Sequence, residues 1–224
     1  MTTERPGSKK GGIVIVSGPS GVGKTTVCRQ VIRRLDNVCL SVSLTTRPRG
    51  PGETHGKDYW FVSKEEFQQR IEAGQMLEYA EVFGHLYGTP KDNVENALQR
   101  GQVVILEIDV QGAKQVKVVY PDATMVFILP PSARTLAQRM SRRGREDSGA
   151  AEIRLDGAGT EIAAAWQYYE HMVINEDLEQ AVREVVNIIR GQKLSQPVKP
   201  DASDSGRNTA SRKNSSNDVP ESSE

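Results

Sequence analysis

The sequence predicts an α/β fold, a mostly parallel five-stranded sheet flanked by helices, and three observations predict it. Short apolar runs alternate with segments of helical period, no internal repeat replaces that alternation, and a glycine-rich turn joins the first run directly to the first amphipathic segment. Gly12-Ile13-Val14-Ile15-Val16-Ser17 reads as a buried strand. After it, Val27, Val31, Ile32 and Leu35 fall on one helical stripe, and Arg33 and Arg34 stand near its C-terminus, where cations suit the helix dipole. Further core strands are expected at 38–42, 103–108, 124–129 and 172–174. Leu178, Ala181, Val182, Val185, Val186 and Ile189 follow i, i+3, i+4 spacing and predict a last helix, which Gly191 stops. Between Ser43 and Gly101 the texture changes to turns, aromatics and short alternating runs, with one helix that Ser63 and Glu66 open as a capping box. Residues 43–101 are therefore expected to form an inserted subdomain. Residues 139–154, polar and rich in Arg and Gly between two helical stretches, are expected to form a mobile lid.

The 224 residues carry 29 Lys+Arg against 29 Asp+Glu, a formal charge of zero, which argues against a dedicated nucleic-acid binder. No apolar run approaches the ~18 to 20 residues needed to cross a bilayer, and no hydrophobic signal region follows the N-terminal charges. A cytoplasmic protein with no membrane partner is expected. Cys28 and Cys39 stand without a partner motif and fit small apolar groups, not a disulfide framework or a zinc site. His55, His85 and His171 have no spacing useful to metals and are given no catalytic role. Residues 195–224 hold eight serines and no Leu, Ile, Met or aromatic residue, the composition of a disordered tail. With the polar start 1–10 also set aside as disordered, residues 11–194 form one elaborated domain.

Gly18-Pro19-Ser20-Gly21-Val22-Gly23-Lys24-Thr25, followed by Thr26, fills the spacing G-x-x-x-x-G-K-[ST] between an apolar strand and an amphipathic helix. Glycines let the backbone curl so that successive N–H groups converge on phosphate oxygens, and the helix N-terminus adds partial positive charge. Lys24 is placed to reach the β and γ phosphates, and the Thr25 hydroxyl to ligate Mg²⁺ carried in with ATP. This P-loop core binds a nucleoside triphosphate, which leaves switches, motors, kinases and transport ATPases open. The run from Val103 ends in the carboxylates of Glu107 and Asp109, either a second acidic group beside the metal or a plain strand end.

From Ser43 to Glu53 two arginines and three hydroxyls share a proline-stiffened turn. Arginine forks suit bidentate contact with phosphate, so the turn is either a clamp for a second anion or a solvated basic loop. Arg139, Arg142, Arg143 and Arg145 put four guanidinium groups in seven residues, with Arg154 beyond. A solvated helix end, a partner-binding face and a nucleic-acid patch all compete for that cluster.

The run Ser41 to Val62, with Thr45-Thr46-Arg47, Gly52-Glu53, Gly56 and Asp58-Tyr59, strongly resembles guanylate kinases. Glu78, then Tyr87-Gly88-Thr89, Ile108-Asp109-Val110-Gln111-Gly112, Arg143-Gly144 and Val173-Ile174-Asn175 follow in the order and approximate spacing of that family. The resemblance spans roughly Gly11 to Arg190. It implies transfer of a phosphoryl group from ATP to GMP or dGMP in purine metabolism, with Mg²⁺ accompanying ATP. It implies that Ser43, Arg47, Tyr59 and Tyr87 bind the GMP phosphate, that Glu78, Thr89 and Asp109 read the guanine, and that Asn175 lies near the adenine. It places Arg139, Arg143 and Arg154 in or beside a lid, where with Lys24 and Arg47 they supply positive charge for the transfer. The family's second phosphate arginine stands one position later than here, where Arg49 precedes Gly50, so Arg49 is expected to reach the phosphate by a local shift of the loop. Two other readings remain: a non-catalytic guanylate-kinase-like module that binds peptides, and a P-loop kinase for another acceptor.

Overall fold

The computed structural model describes residues 11–142 and 148–191, without the side chains of 142–157. The expected disordered segments 1–10 and 195–224, with Arg143 and Arg145, lie outside the described residues, and of Arg154 only the backbone is described. In chain order the elements begin with β1 (Gly12–Ser17), α1 (Lys24–Ile32), β2 (Val38–Leu40), β3 (Leu44–Thr45), β4 (Trp60–Phe61) and α2 (Lys64–Glu72). Then come β5 (Met76–Val82), β6 (His85–Pro90), α3 (Lys91–Gln99), β7 (Val103–Glu107) and α4 (Val110–Val119). The last are β8 (Thr124–Leu129), α5 (Ala133–Arg142), α6 (Ser148–Tyr168), β9 (His171–Ile174) and α7 (Leu178–Ile189).

A five-stranded sheet in the order β2-β7-β1-β8-β9 is parallel throughout, as the alternating pattern predicts. Both faces are buried, which is why its strands read as continuous apolar runs. Val14 and Val16 of β1 face a cluster with Val27 and Val31 of α1 and Val182 and Val185 of α7. Ile13 and Ile15 face the other side, with Val94 of α3, Val116 of α4 and Ala165 of α6. Parallel pairing brings the C-terminal ends of all five strands to one edge, so the glycine-rich turn after β1, Glu107 at the end of β7 and Asn175 after β9 meet there.

A second sheet in the order β4-β3-β6-β5 occupies the insertion, antiparallel except for the β3–β4 pair. Its hairpin turns through Phe83 (φ 50°) and Gly84 (φ 76°), both left-handed as the right-handed twist of a two-residue connection requires.

Local signals act largely as expected. The Ser63 hydroxyl accepts from the Glu66 N–H at 3.1 Å and opens α2, although the Glu66 carboxylate turns to Arg70 and does not complete the box. Asp177 caps α7 by accepting from the Gln180 N–H at 2.8 Å, and Gly191 (φ 69°) follows its end. Some elements differ from expectation, with β7 ending at Glu107, one residue early, and β9 starting at His171, one residue early. The strand expected over 38–42 closes at Leu40, because Ser41 makes one more bond to the Ile105 carbonyl before the chain departs for the second sheet. Helix α3 was not expected; its nine polar-rich residues carry only Val94 and Ala97 into the core. The expected lid segment begins inside α5 and ends inside α6. Among the described residues no helix is long and apolar enough to cross a membrane.

Candidate active site

The turn from Gly18 to Gly23 owes its path to glycine. Gly18, Gly21 and Gly23 have φ of 147°, 83° and 103°, and a Cβ at Gly23 would sit 2.5 Å from the Asn175 amide nitrogen. No side chain caps α1, so the first-turn N–H groups at Lys24, Thr25 and Thr26 face the cradle with the partial positive charge of the helix end. Lys24 folds its ammonium back over the loop and donates to the Gly18 and Pro19 carbonyls. The Thr25 hydroxyl donates to Glu107 Oε1 at 2.6 Å, joining the loop to the end of β7. Glu107 is thus one of the two carboxylates read at that strand end, and the structure sets it beside Thr25. Its charge also bears on the half-buried Tyr59, where burial first and Glu107 second push the phenol up. One carboxylate therefore lies between the loop and the insertion.

The insertion supplies the second half of the site. Arg47 donates through Nη2 to Glu53 Oε1 at 2.8 Å and through Nε to the Tyr87 hydroxyl at 3.2 Å, with its guanidinium over the rings of Tyr59 and Phe61. Glu53 Oε2 accepts from the Gly50 N–H at 2.7 Å and so ties the proline turn to Arg47. Sequence spacing alone did not single out Glu53 for this bracing role. Ser43 is buried at the start of β3, and Tyr59 and Tyr87 stand edge to face with centroids 5.9 Å apart. Arg49 is exposed and forms no ion pair among the described residues, so the structure groups Ser43, Arg47, Tyr59 and Tyr87 but leaves Arg49 at the rim.

Glu78 on β5 and Thr89 on β6 are opposite one another in the ladder. Glu78 is 3% exposed and Thr89 fully buried. The Thr89 hydroxyl donates to Glu78 Oε1 at 2.6 Å. Burial, reinforced by the Asp109 charge, raises the Glu78 carboxyl to about 7. Asp109 reaches the pair from the core domain as the cap of α4, accepting from the Gly112 N–H at 2.8 Å. Gly112 is required there, because a Cβ would run into the Glu78 carboxyl.

Arg139 near the end of α5 donates to the carbonyls of Val22 at 3.2 Å and Asn175 at 3.0 Å. The Asn175 side chain donates to the Val22 carbonyl at 2.8 Å. Both residues thus lie against the glycine-rich loop. Glu161 of α6 is a further group without a sequence signal: burial raises its carboxyl while Lys24 pulls it down. The hydroxyls of Ser17 and Tyr169 are buried without a hydrogen-bond partner among the described residues.

Among the described residues no cluster of three or more His, Cys, Asp or Glu side chains could hold a metal alone. The Thr25 and Glu107 oxygens are nonetheless hard donors of the kind Mg²⁺ takes together with phosphate oxygens and water, so the residues fit that ion.

Comparison with known proteins identifies the family. A family model described as guanylate kinase matches residues 10–192. The guanylate kinase of Thermotoga maritima is 45% identical over 184 residues, 82% of this chain and 88% of that protein. That of Thermosynechococcus vestitus is 47% identical over 182 residues, 81% of this chain and 94% of that protein. A crystal structure of guanylate kinase from Anaplasma phagocytophilum superposes with a TM-score of 0.69 at 36% identity, covering 82% of this chain and 86% of that one. With a matching family model over most of its length and relatives near 45% identity, the chain belongs to the guanylate kinase family.

Proposed function

We propose that this chain transfers the γ-phosphoryl group of ATP to GMP or dGMP, forming ADP and GDP or dGDP, as a cytoplasmic step of purine nucleotide metabolism. The observation that carries the reading is that Glu78 and Thr89 meet, buried, on the second sheet, with Asp109 at the start of α4 close enough for its charge to raise the Glu78 carboxyl. Guanine offers N1–H and a 2-amino group as adjacent donors, which a carboxylate accepts together, and the Thr89 hydroxyl can turn its proton to O6. Adenine presents an acceptor at N1 and no 2-amino group, which leaves the carboxylates unpaired. Buried polar groups left unpaired in this way discriminate by roughly 10⁴-fold. No residue in the group is committed to a ribose 2′-hydroxyl, hence the inclusion of dGMP.

Ser43, Arg47, Tyr59 and Tyr87 would take the acceptor phosphate, with Arg49 arriving from the rim when its loop moves. A phosphate monoester has a second pKa near ~6 and is mostly dianionic at pH 7, so the nucleophile needs no general base. The chain's work is alignment and charge. The loop from Gly18 to Thr26 holds the donor phosphates, Lys24 leaves its carbonyls for them, and Arg143 and Arg154 bring positive charge from the lid. Thr25 and Glu107 would hold Mg²⁺, which when bound neutralises charge on the ATP phosphates. Movement of residues 43–101 and 139–154 toward one another would exclude water from the transfer.

The test is ADP release with GMP, dGMP, AMP, CMP and UMP as acceptors. Turnover confined to GMP and dGMP is expected. Equal turnover with AMP, or none with any acceptor, would overturn the assignment.

A further inference from the structure

A phosphate loop binds through backbone N–H groups, and those groups point where their peptide planes point. The plane between Val22 and Gly23 is held from behind. Its carbonyl accepts two hydrogen bonds, from Asn175 Nδ2 at 2.8 Å and from Arg139 Nη1 at 3.2 Å. In a planar trans peptide the carbonyl and the following N–H point in opposite directions. Fixing the Val22 oxygen toward Asn175 and Arg139 therefore turns the Gly23 N–H away from them.

The Asn175 side of this grip is buried. Asn175 is 6% exposed, its own N–H donates to the Leu129 carbonyl at 2.8 Å, and its carbonyl accepts from Arg139 Nη2 at 3.0 Å. Arg139 thus bridges Val22 and Asn175, and neither of its two bonds goes to a carboxylate. Gly23 leaves no room between loop and amide, since a Cβ there would lie 2.5 Å from Asn175 Nδ2. One turn earlier, a Cβ on Gly21 would lie 2.9 Å from Met140 Cγ, so α5 also supports the loop through its next residue.

We infer that Asn175 and Arg139 are positioning residues, which grip the Val22 carbonyl from behind the loop and aim the Gly23 N–H at the phosphates of the donor. One Asn175 N–H is committed to a loop carbonyl, and a guanidinium spread over two carbonyls acts on phosphate through the loop. Among the described residues no carboxylate pairs with Arg139, and its charge adds to the positive potential behind the cradle. This deepens the phosphotransfer reading and rests on it for the identity of the donor.

Binding of inorganic tripolyphosphate, which has no base, separates positioning from base reading. It is measured with ATP and inosine triphosphate on the full chain and on Asn175→Ala, Asn175→Asp, Arg139→Lys and Arg139→Ala. Asn175→Ala is expected to weaken all three ligands by one common factor, roughly tenfold, with the preference for ATP over inosine triphosphate unchanged. Asn175→Asp, which puts an acceptor against the Val22 carbonyl, should weaken them further. Arg139→Ala should weaken tripolyphosphate, Arg139→Lys should restore part of the loss, and the Asn175→Ala, Arg139→Ala double variant should lose less than the product of the single effects, because both act through one carbonyl.

Loss of the ATP preference with tripolyphosphate binding intact would make Asn175 a base reader and overturn the inference. A fall in kcat on Arg139→Ala with tripolyphosphate binding unchanged would place Arg139 on the transferring group and overturn it equally. GMP affinity of each variant reports folding, and if the Asn175 variants lose it, the two Arg139 variants decide. Failure of the unaltered chain to phosphorylate GMP would sink the phosphotransfer reading alone, since tripolyphosphate binding still judges the grip on Val22.

Discussion

Thr89 and Glu78 face one another across the β5–β6 ladder, and the threonine gives its hydroxyl proton to a carboxyl oxygen 2.6 Å away. Burial, reinforced by the Asp109 charge, raises that carboxyl to about 7, so the pair proposed to read guanine changes its proton count near neutrality.

GMP needs the ionised form, because a protonated carboxyl cannot accept from both N1–H and the 2-amino group. Affinity for GMP is therefore expected to fall as pH drops through 7, approaching tenfold per unit below it, while ATP affinity stays nearly level. Titration of GMP binding by calorimetry from pH 5.5 to 8.5 checks this, and Glu78→Gln should flatten the profile.

The same shift acts on stability. The folded value lies above the ordinary carboxylate value of 4.5, so folded Glu78 holds its proton where the unfolded chain has released it. Its contribution is full below pH 4.5 and is lost as pH rises through 7, costing roughly 3 kcal/mol by pH 8. Glu78→Gln should consequently raise the melting temperature relative to the unaltered chain at pH 8, and the difference should close toward pH 5.

Gly112→Ala places a methyl group against the Glu78 carboxyl. We expect KM for GMP to rise more than about tenfold with KM for ATP unchanged, since the displaced carboxylate serves only the acceptor. Steady-state kinetics varying each substrate in turn would show it, and an equal effect on both would contradict the separation of the two sites.

Thr25 and Glu107 share a hydrogen bond where Mg²⁺ would be held. Thr25→Ala and Glu107→Gln should each raise the free Mg²⁺ needed for half-maximal turnover by about tenfold while leaving GMP affinity intact, and chelation by EDTA should abolish turnover in every form. Magnesium titration of the initial rate is the measurement.

Arg47 is braced by Glu53, Tyr87 and two aromatic rings, whereas Arg49 is exposed at the rim. Arg47→Ala is expected to weaken GMP by roughly a hundredfold and Arg49→Ala by about tenfold or less, because only the first guanidinium is ordered before the ligand arrives. Equal losses would show that the early arginine is as well positioned as the braced one.

Features written in consecutive residues were legible before any coordinates. The glycine spacing from 18 to 23, the lysine and the hydroxyls after it, the Ser63 cap with its short-range partner, and the stripe of α7 all act within a few residues of themselves. The five parallel strands followed from apolar runs that both sheet faces bury. Glu78 was legible only through resemblance, because an isolated acidic residue in a strand has no spacing that marks it, and Asp109, already marked at its strand end, took a guanine role only through the same resemblance.

What the chain alone determined is its local chemistry: a loop that can bind phosphate, helices with their caps and stripes, and an insertion of different texture between them. Tertiary structure decided which distant groups meet. Thr25 finds Glu107 across 82 residues, and Val22 finds Asn175 across 153, so Asn175 grips the loop. The reason is physical. Periodicity and turn propensity are set by neighbours along the backbone, whereas these contacts exist because parallel pairing carries the ends of β1, β7 and β9 to one edge, and no pattern in the intervening residues encodes that edge.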